Sequence, residues 1–575
     1  VRENHWKLTH LLNYNQTFYK HDIGMLLGFE EERFVKRTTD TAKLGLIDSS
    51  VGDSSSATTP SSIGGTGEEF TSRSYFGRIN YAFDSRYLFE VNMRYDGSSR
   101  FAPDNRWGLF PSFSAGWRIC EERFMKGLPI DNLKLRASWG KLGNNAIGNY
   151  EWQAVYNSAK YAFGGSLNNG LAITSISNNL LEWESTAITN IGIDFATLRN
   201  RLTFEAEFYN KVTDGILYRP DMYMSLGTAS GPRQNIAEVT NRGIEMTLNW
   251  QDRIGKVEYR VSGNFAYNQN KVSKYKGELQ RGWVTDENGN RVYQTNIGDV
   301  STGGSTRVIE GKMINEYYML QPYKGSGNGF NADGTVNING GPRDGMIRTV
   351  DDMKWLNAMV GAGYKFYPRQ NVSKSGIWYG DYIYADLNGD GVYGNDADNE
   401  FQGCSNVPKY NFGLQASANW KGFDFSMNWS GAAGFKIYYY RLALNSSATI
   451  KGYAIGEAIA NDHYFFDPKN PNDPRTNLSS KNPRLTNNSG NDQSGMTQSS
   501  VHLQKGDYIK LKNLTIGYTL PAVLSKKVYA QNIRFFASGE NLFTITGYDG
   551  MDPEMRTAVG YSTMRQYAFG VNITF

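Results

Sequence analysis

The sequence predicts an all-β protein and, within that class, a transmembrane antiparallel β-barrel. Three observations predict it. Apolar and polar residues alternate with a period of two in one segment after another. Several of these segments outrun the usual soluble strand of about 5–6 residues and reach the roughly 9–11 that cross a bilayer obliquely. The connections alternate between tight turns and long polar stretches. Composition agrees. The 575 residues include 37 Tyr, 30 Phe and 12 Trp, so aromatics make up 14% of the chain beside 62 Gly, with a mean hydropathy of -0.53. So aromatic a chain is not disordered, and no apolar run reaches the 18 or more residues of a membrane-crossing helix. Sixty Lys+Arg against 56 Asp+Glu leave +4, which gives no electrostatic case for nucleic acid. Two cysteines, Cys120 and Cys404, cannot make a disulfide framework or a zinc site unaided.

The elements follow in order. Trp6, Leu8, His10, Leu12, Tyr14, Gln16 and Phe18 form one face of a first strand, against Lys7, Thr9, Asn13, Asn15 and Thr17. Tyr87, Phe89, Val91, Met93 and Tyr95 alternate with Leu88, Glu90, Asn92, Arg94 and Asp96, and Leu202, Phe204, Ala206 and Phe208 with Thr203, Glu205, Glu207 and Tyr209. Val257, Tyr259, Val261, Phe265 and Tyr267 repeat the scheme. Tight turns are expected at 20–22, 84–86, 199–201, 252–255 and 421–422. Long loops are expected at 37–68, 144–179, 219–235, 275–306, 325–380 and 441–500, with a short helix near 454–460. At roughly 35 residues per strand and connection the chain holds about 16 strands. A sandwich could carry the same alternation, but it has no reason to put every long loop on one side.

The sequence opens on Val1 with neither a basic n-region nor an apolar h-region, directly on a strand pattern, as expected of a mature or truncated piece of something longer. At the other end Tyr567, Phe569, Val571, Ile573 and Phe575 alternate with polar or small residues and the sequence stops on an aromatic, as outer-membrane barrels typically do.

Several motifs carry a family likeness. They include 75–81 (YFGRINY), 94–101 (RYDGSSRF), 106–118 (RWGLFPSFSAGWR), 135–140 (LRASWG), Gly143-Asn144, Trp183-Glu184, 189–194 (TNIGID) and 241–245 (NRGIE). Further on come 386–391 (DLNGDG), 508–514 (YIKLKNL) and 539–543 (GENLF). In this order they resemble the SusC/RagA family of TonB-dependent outer-membrane transporters, over nearly the whole chain. The resemblance implies a 22-stranded barrel plugged by an N-terminal domain, set in outer-membrane lipid. It implies import of an oligosaccharide or peptide captured by a SusD-like lipoprotein lid, and a dimer of the transporter–lipoprotein pair. Energy would come from a TonB complex pulling on a TonB box; plug, box and first strands are expected before Val1. A passive porin and a surface glycan-binding β-protein are the competing readings.

Candidate sites are few. Asp386, Asn388, Asp390 and Val392 match the first half of an EF-hand loop, in which alternating oxygens converge on a structural Ca2+. Position 12 falls on Ala397, so closure would fall to Asp396 or Asp398. Loop aromatics suited to stacking on sugar rings are Tyr150, Trp152, Tyr156, Trp283, Tyr317, Tyr318, Trp355 and Trp378. Arg78, Glu90, Arg94, Glu205 and Glu207 are expected on a solvated lumen wall. Histidines 5, 10, 21, 463 and 502 show no metal spacing and no nucleophile elbow is found, so no catalytic residues and no required cofactor are expected.

Overall fold

The computed structural model describes the chain apart from residues 47–55, 219–231, 276–280, 286–290, 296–299, 302–305, 309, 440–456, 486–498, 557–560 and 562. The chain divides into two compact units, Val1–Met246 with Asn270–Glu278, and Thr247–Gln269 with Leu279–Phe575.

In the first unit β1 (Arg2–Phe18), β2 (His21–Leu46), β3 (Ala57–Phe83), β4 (Tyr87–Ser98), β5 (Trp107–Arg118), β6 (Ile130–Asn144), β7 (Glu184–Thr197) and β8 (Leu202–Tyr218) are hydrogen-bonded in chain order. Two long strands, β9 (Gln234–Ile254) and β10 (Val257–Tyr275), give one end to each unit. In the second unit β10 is followed by β11 (Tyr410–Trp420), β12 (Phe423–Ala433), β13 (Tyr508–Thr519), β14 (Asn532–Thr546) and β15 (Gln566–Thr574). The pairing is an antiparallel meander. Fifteen such strands among the described residues sit close to the 16 expected. At the short ends the chain turns through positive φ at Tyr19, Asp84, Ser85, Leu198, Arg199, Asn200, Gly255 and Lys421, the backbone that matches a tight hairpin to strand twist. All five expected tight turns are present.

Register explains why the alternation matters. Met25, Ile79, Val91, Phe113 and Trp139 stand directly opposite one another across β2 to β6, and Met25, Ile79, Phe113 and Trp139 are exposed. A continuous apolar row of this kind is too large a patch for water and fits lipid. Aromatic rings bracket it. On one side Phe29, Tyr75, Trp107 and Tyr95 follow one another at centroid distances of 5.4, 6.2 and 4.8 Å. On the other, His21, Phe83 and Tyr87 follow at 5.0 and 6.4 Å. Tyr75 and Phe83 are about 27 Å apart along β3 at ~3.4 Å per residue. A strand tilt of about 35–45° reduces that to about 20 Å of height, the scale of an apolar band between two aromatic girdles. Phe113→Arg is therefore expected to cost about 2–4 kcal/mol of barrel stability, measured by urea unfolding in lipid vesicles. Ser114→Arg, on the opposite face beside Glu90, is expected to cost little. Equal costs would refute the assignment of faces.

The expected loop at 37–68 is corrected. β2 and β3 run on as a paired ribbon from Arg37↔Gly67 to Leu46↔Ala57. Backbone hydrogen bonding holds this extension, and its few large apolar residues, Leu44, Leu46 and Ile63, are exposed. Loop 144–179 likewise contains an antiparallel hairpin, Val155–Phe163 with Ser166–Ser175.

The stretch 325–380 is no open loop either. It carries α1 (Val350–Gly361), started by a capping box between Thr349 and Asp352. Met353, Trp355, Leu356 and Met359 of α1 pack with Tyr323, Met346, Ile347, Phe366, Tyr382, Ile383, Tyr384 and Tyr464 into a buried core. The expected helix near 454–460 is present as Glu457–Asn461, residues 454–456 lying outside the described residues. Among the described residues no helix is long and apolar enough to cross a membrane.

Candidate functional site

Motifs 94–101, 106–118 and Trp183-Glu184 of the first unit meet at one corner. Phe101, from RYDGSSRF, is fully buried with Ile147 and Leu181, and Trp183 packs against them. The Trp183 indole lies 5.2 Å from Phe101 and 5.3 Å from Phe110 and donates to the Arg106 carbonyl at 3.0 Å. Arg100 donates to the Asn145 carbonyl and to Asn149 Oδ1. These motifs make a scaffold on which the neighbouring aromatics stand. Tyr150 is partly exposed, its hydroxyl accepting from the Glu69 amide at 2.9 Å. Trp152 is half-buried, and its buried indole N–H has no hydrogen-bond partner among the described residues. Tyr156 projects from the exposed hairpin with 57% of its surface free.

In the second unit the candidates part company. Trp355 is 0% exposed, donates to the Asn337 carbonyl at 2.8 Å and stacks on Tyr323 at 5.2 Å. Tyr317 is buried, donates to the Lys436 carbonyl at 3.2 Å, and burial raises its pKa above the ordinary phenol value. Neither ring offers a face to a ligand, so the binding expectation for Trp355 and Tyr317 is corrected to a packing role. Tyr318 is half-buried against Phe401 at 4.9 Å. Trp378 is half-buried, edge-on to Tyr379 at 5.3 Å. Trp283 stands on the short strand Arg281–Thr285, and its side chain lies outside the described residues.

The loop at 386–398 closes on its own amides. Asp386 accepts from the Gly389 and Gly391 N–H groups at 2.7 and 2.9 Å, Asn388 Oδ1 from Asp390, and Asp390 Oδ1 from Val392. Asp398 is fully buried and accepts from Leu387, Gly394 and Asn395. Burial pushes its carboxyl up to about 6. Asp396 is exposed. Among the described residues no three acidic, imidazole or thiol groups converge as metal ligands. The DLNGDG pattern builds Asx turns. Added Ca2+ or a chelator is expected to leave the thermal unfolding of this segment unchanged; a rise of several degrees with Ca2+ would restore the cation reading.

Three arrangements escaped sequence reading. Arg484 forks onto Asp381 through Nε and Nη2 at 2.8 and 3.0 Å. Arg348 donates to the Leu478 and Ser480 carbonyls at 2.6 and 2.8 Å. Together they clasp the 462–485 excursion to the α1 core. Lys510, 2% exposed, binds Asp552 at 2.6 Å and Glu554 at 2.8 Å, while Lys512 reaches Glu554 at 2.6 Å. Lys510 and Lys512, two residues apart and so on one face of the strand, share Glu554 beside a register shift between Leu511 and Asn513.

The polar sheet face is ion-paired in the first unit. Arg94 contacts Asp96 at 2.7 Å and Ser74 at 2.9 Å; Arg136 contacts Asp194 at 3.0 Å and also Glu207. Glu90 accepts from Asn92 at 2.7 Å. Arg78 and Glu205 occupy the same face by register.

Comparison with known proteins finds that residues 3–542 match the family described as TonB dependent receptor-like, beta-barrel. The chain is 29% identical over 98% of its length to TonB-dependent receptor P39 of Formosa agariphila, covering 52% of that receptor. It is 28% identical over 87% of its length to TonB-dependent receptor SusC of Bacteroides thetaiotaomicron, covering 43% of it. Among solved structures, the RagAB peptide transporter superposes over 100% of this chain and 55% of the other with a TM-score of 0.74 at 21% identity, a likeness of fold. The chain spans about half the length of the curated relatives it matches.

Proposed function

Since the chain belongs to the TonB-dependent receptor-like β-barrel family of outer-membrane proteins, within its SusC/RagA branch, we propose that it forms the barrel wall of an active nutrient importer. The substrate on this reading is an oligosaccharide, drawn through the lumen after capture by a SusD-like lipoprotein. TonB supplies the energy, acting through sequence outside these residues, and the transporter–lipoprotein pair is a dimer. The observation that carries the import reading is the match of the family over 3–542 together with the two-faced sheet, lipid-compatible outside and polar within. Exposed rings at Tyr150 and Tyr156 on the loop side support a sugar ligand.

The test is extraction from native outer membranes in mild detergent and intact mass determination of everything that co-purifies. A lipoprotein recovered in equal amount with a chain carrying this sequence is the expected result. A transporter that migrates alone and takes up solute without energy would support a passive porin and overturn the proposal.

A further inference from the structure

The outward side of the second unit carries an aromatic row at its short-turn end. Trp420 stands opposite Phe423, Phe423 opposite Tyr518 and Tyr518 opposite Phe535 across β11 to β14. The rings of Trp420 and Phe423 lie 6.2 Å apart, and those of Phe423 and Tyr518 4.5 Å. Trp420, Phe423 and Phe535 are exposed, and one step along the strands exposed Ile516 and Phe569 continue the same side. The opposite side holds the Arg534–Asp424 ion pair. The row is thus a girdle where the wall passes from lipid to water.

The connection 520–531 begins at this level, since the Thr519 amide donates to the carbonyl of Gly422 in the tight turn at 2.7 Å. It is folded, a helical turn at Ala522–Ser525 running into a 3-10 turn at Lys526–Val528. Ser525 is fully buried and its hydroxyl donates to the Ala522 and Gln531 carbonyls. The helical turn lies against β14. Ile533 of β14, on the outward side by register, is buried there while Phe535 and Ile573 on that side are exposed. The connection therefore folds onto the lipid side and not into the lumen.

Its large residues face away from the protein. Val523, Leu524, Val528 and Tyr529 are exposed, Tyr529 by 92%. Tyr529 also holds a left-handed φ of 59°, a backbone that glycine or asparagine adopts with less strain. Lys526 and Lys527 are exposed among these residues, and between Asp507 and Glu540 the sequence has no acid. Lys421, at the tip of the neighbouring tight turn, holds its ammonium 5.4 Å from the Trp420 ring centre.

Apolar side chains, a tyrosine and lysines just beyond an aromatic girdle match the boundary between acyl chains and phosphates. We propose that the 520–531 connection docks on anionic phospholipid headgroups: Val523, Leu524, Val528 and Tyr529 enter the boundary, and Lys526 and Lys527 pair with the phosphates. Continuity with the girdle favours lipid over an acidic protein, which would answer the lysines and leave four large apolar side chains in water. The proposal goes beyond the import reading and is independent of substrate and energy source.

The test is native mass spectrometry of the full transporter in neutral detergent, titrated with phosphatidylglycerol or with phosphatidylcholine of the same acyl chains. Tighter retention of phosphatidylglycerol is expected at low salt. Lys526→Gln/Lys527→Gln should weaken the tightest-bound phosphatidylglycerol by at least about tenfold and leave phosphatidylcholine unchanged, with the heat-modifiable gel shift of the barrel intact. Removing two exposed lysines of a long loop, Lys469→Gln/Lys481→Gln, should cost nothing. Tyr529→Gly, which relaxes the backbone, should lower retention of both lipids without lowering the unfolding temperature. Unchanged phosphatidylglycerol retention in the 526/527 variant, or an equal loss in the loop control, would overturn the proposal. So would equal competition by glycerol phosphate, which marks a site for free phosphate, or by hexaglutamate, which marks one for an acidic protein.

Discussion

Lys510→Met is expected to destabilise the segment 547–556 by about 3–5 kcal/mol, because it leaves the buried Asp552 carboxylate without its counter-ion and Glu554 with only Lys512 and the Tyr508 hydroxyl. The ammonium sits 2.6 Å from one carboxylate and 2.8 Å from the other at 2% exposure, so water cannot replace it. Tyr548 buries its ring with Ala432, Phe435 and Ile437, and its hydroxyl donates to the Arg556 carbonyl. The segment therefore has two anchors, one ionic and one apolar, and losing the first should expose it to protease while the barrel stays folded. Limited proteolysis and urea unfolding measure this. Adding Asp552→Leu to Lys510→Met should recover much of the loss, since it removes the stranded charge. A loss below about 1 kcal/mol for the single variant would mean the carboxylates are solvated and the latch is absent.

Trp355→Ala is the second large effect, about 3–5 kcal/mol from lost burial and the cavity left behind. The indole is fully enclosed by Tyr323 and Phe366 and holds the Asn337 carbonyl. The damage should stay local: residues 320–385 become protease-sensitive while the heat-modifiable gel shift of the barrel persists. Trp355→Phe should retain most of the packing and lose only the N–H contact. Were either variant instead to leave the core intact and weaken glycan binding, the packing assignment of Trp355 would fail.

These sites differ in how legible they were. Strand faces could be read because lipid on one side and polar contacts on the other impose opposite chemistry at every second residue, as in 87–96. The ribbon of 37–46 with 57–67 could not, because its run of Thr, Ser and Gly with a few exposed apolar residues shows no sustained alternation. The α1 core was opaque for another reason. Trp355, Tyr384 and Tyr464 come from distant segments, so no local period announces them, and their aromatic content reads as ligand-binding surface. Asp386 to Asp390 carry a cation-like spacing whose oxygens accept from the loop's own amides, an arrangement that the spacing alone does not announce. Lys510 hid behind the register shift that breaks the period in YIKLKNL, with its partners more than 40 residues on.

The central claim is energised import through this barrel. Its most direct measurement is uptake of a labelled oligosaccharide by cells carrying the full transporter, with and without a protonophore and with TonB deleted. Uptake that reaches an internal concentration above the external one, and that collapses when either the proton gradient or TonB is removed, is the predicted result. Uptake that only equilibrates and ignores both treatments would contradict it and leave a passive pore.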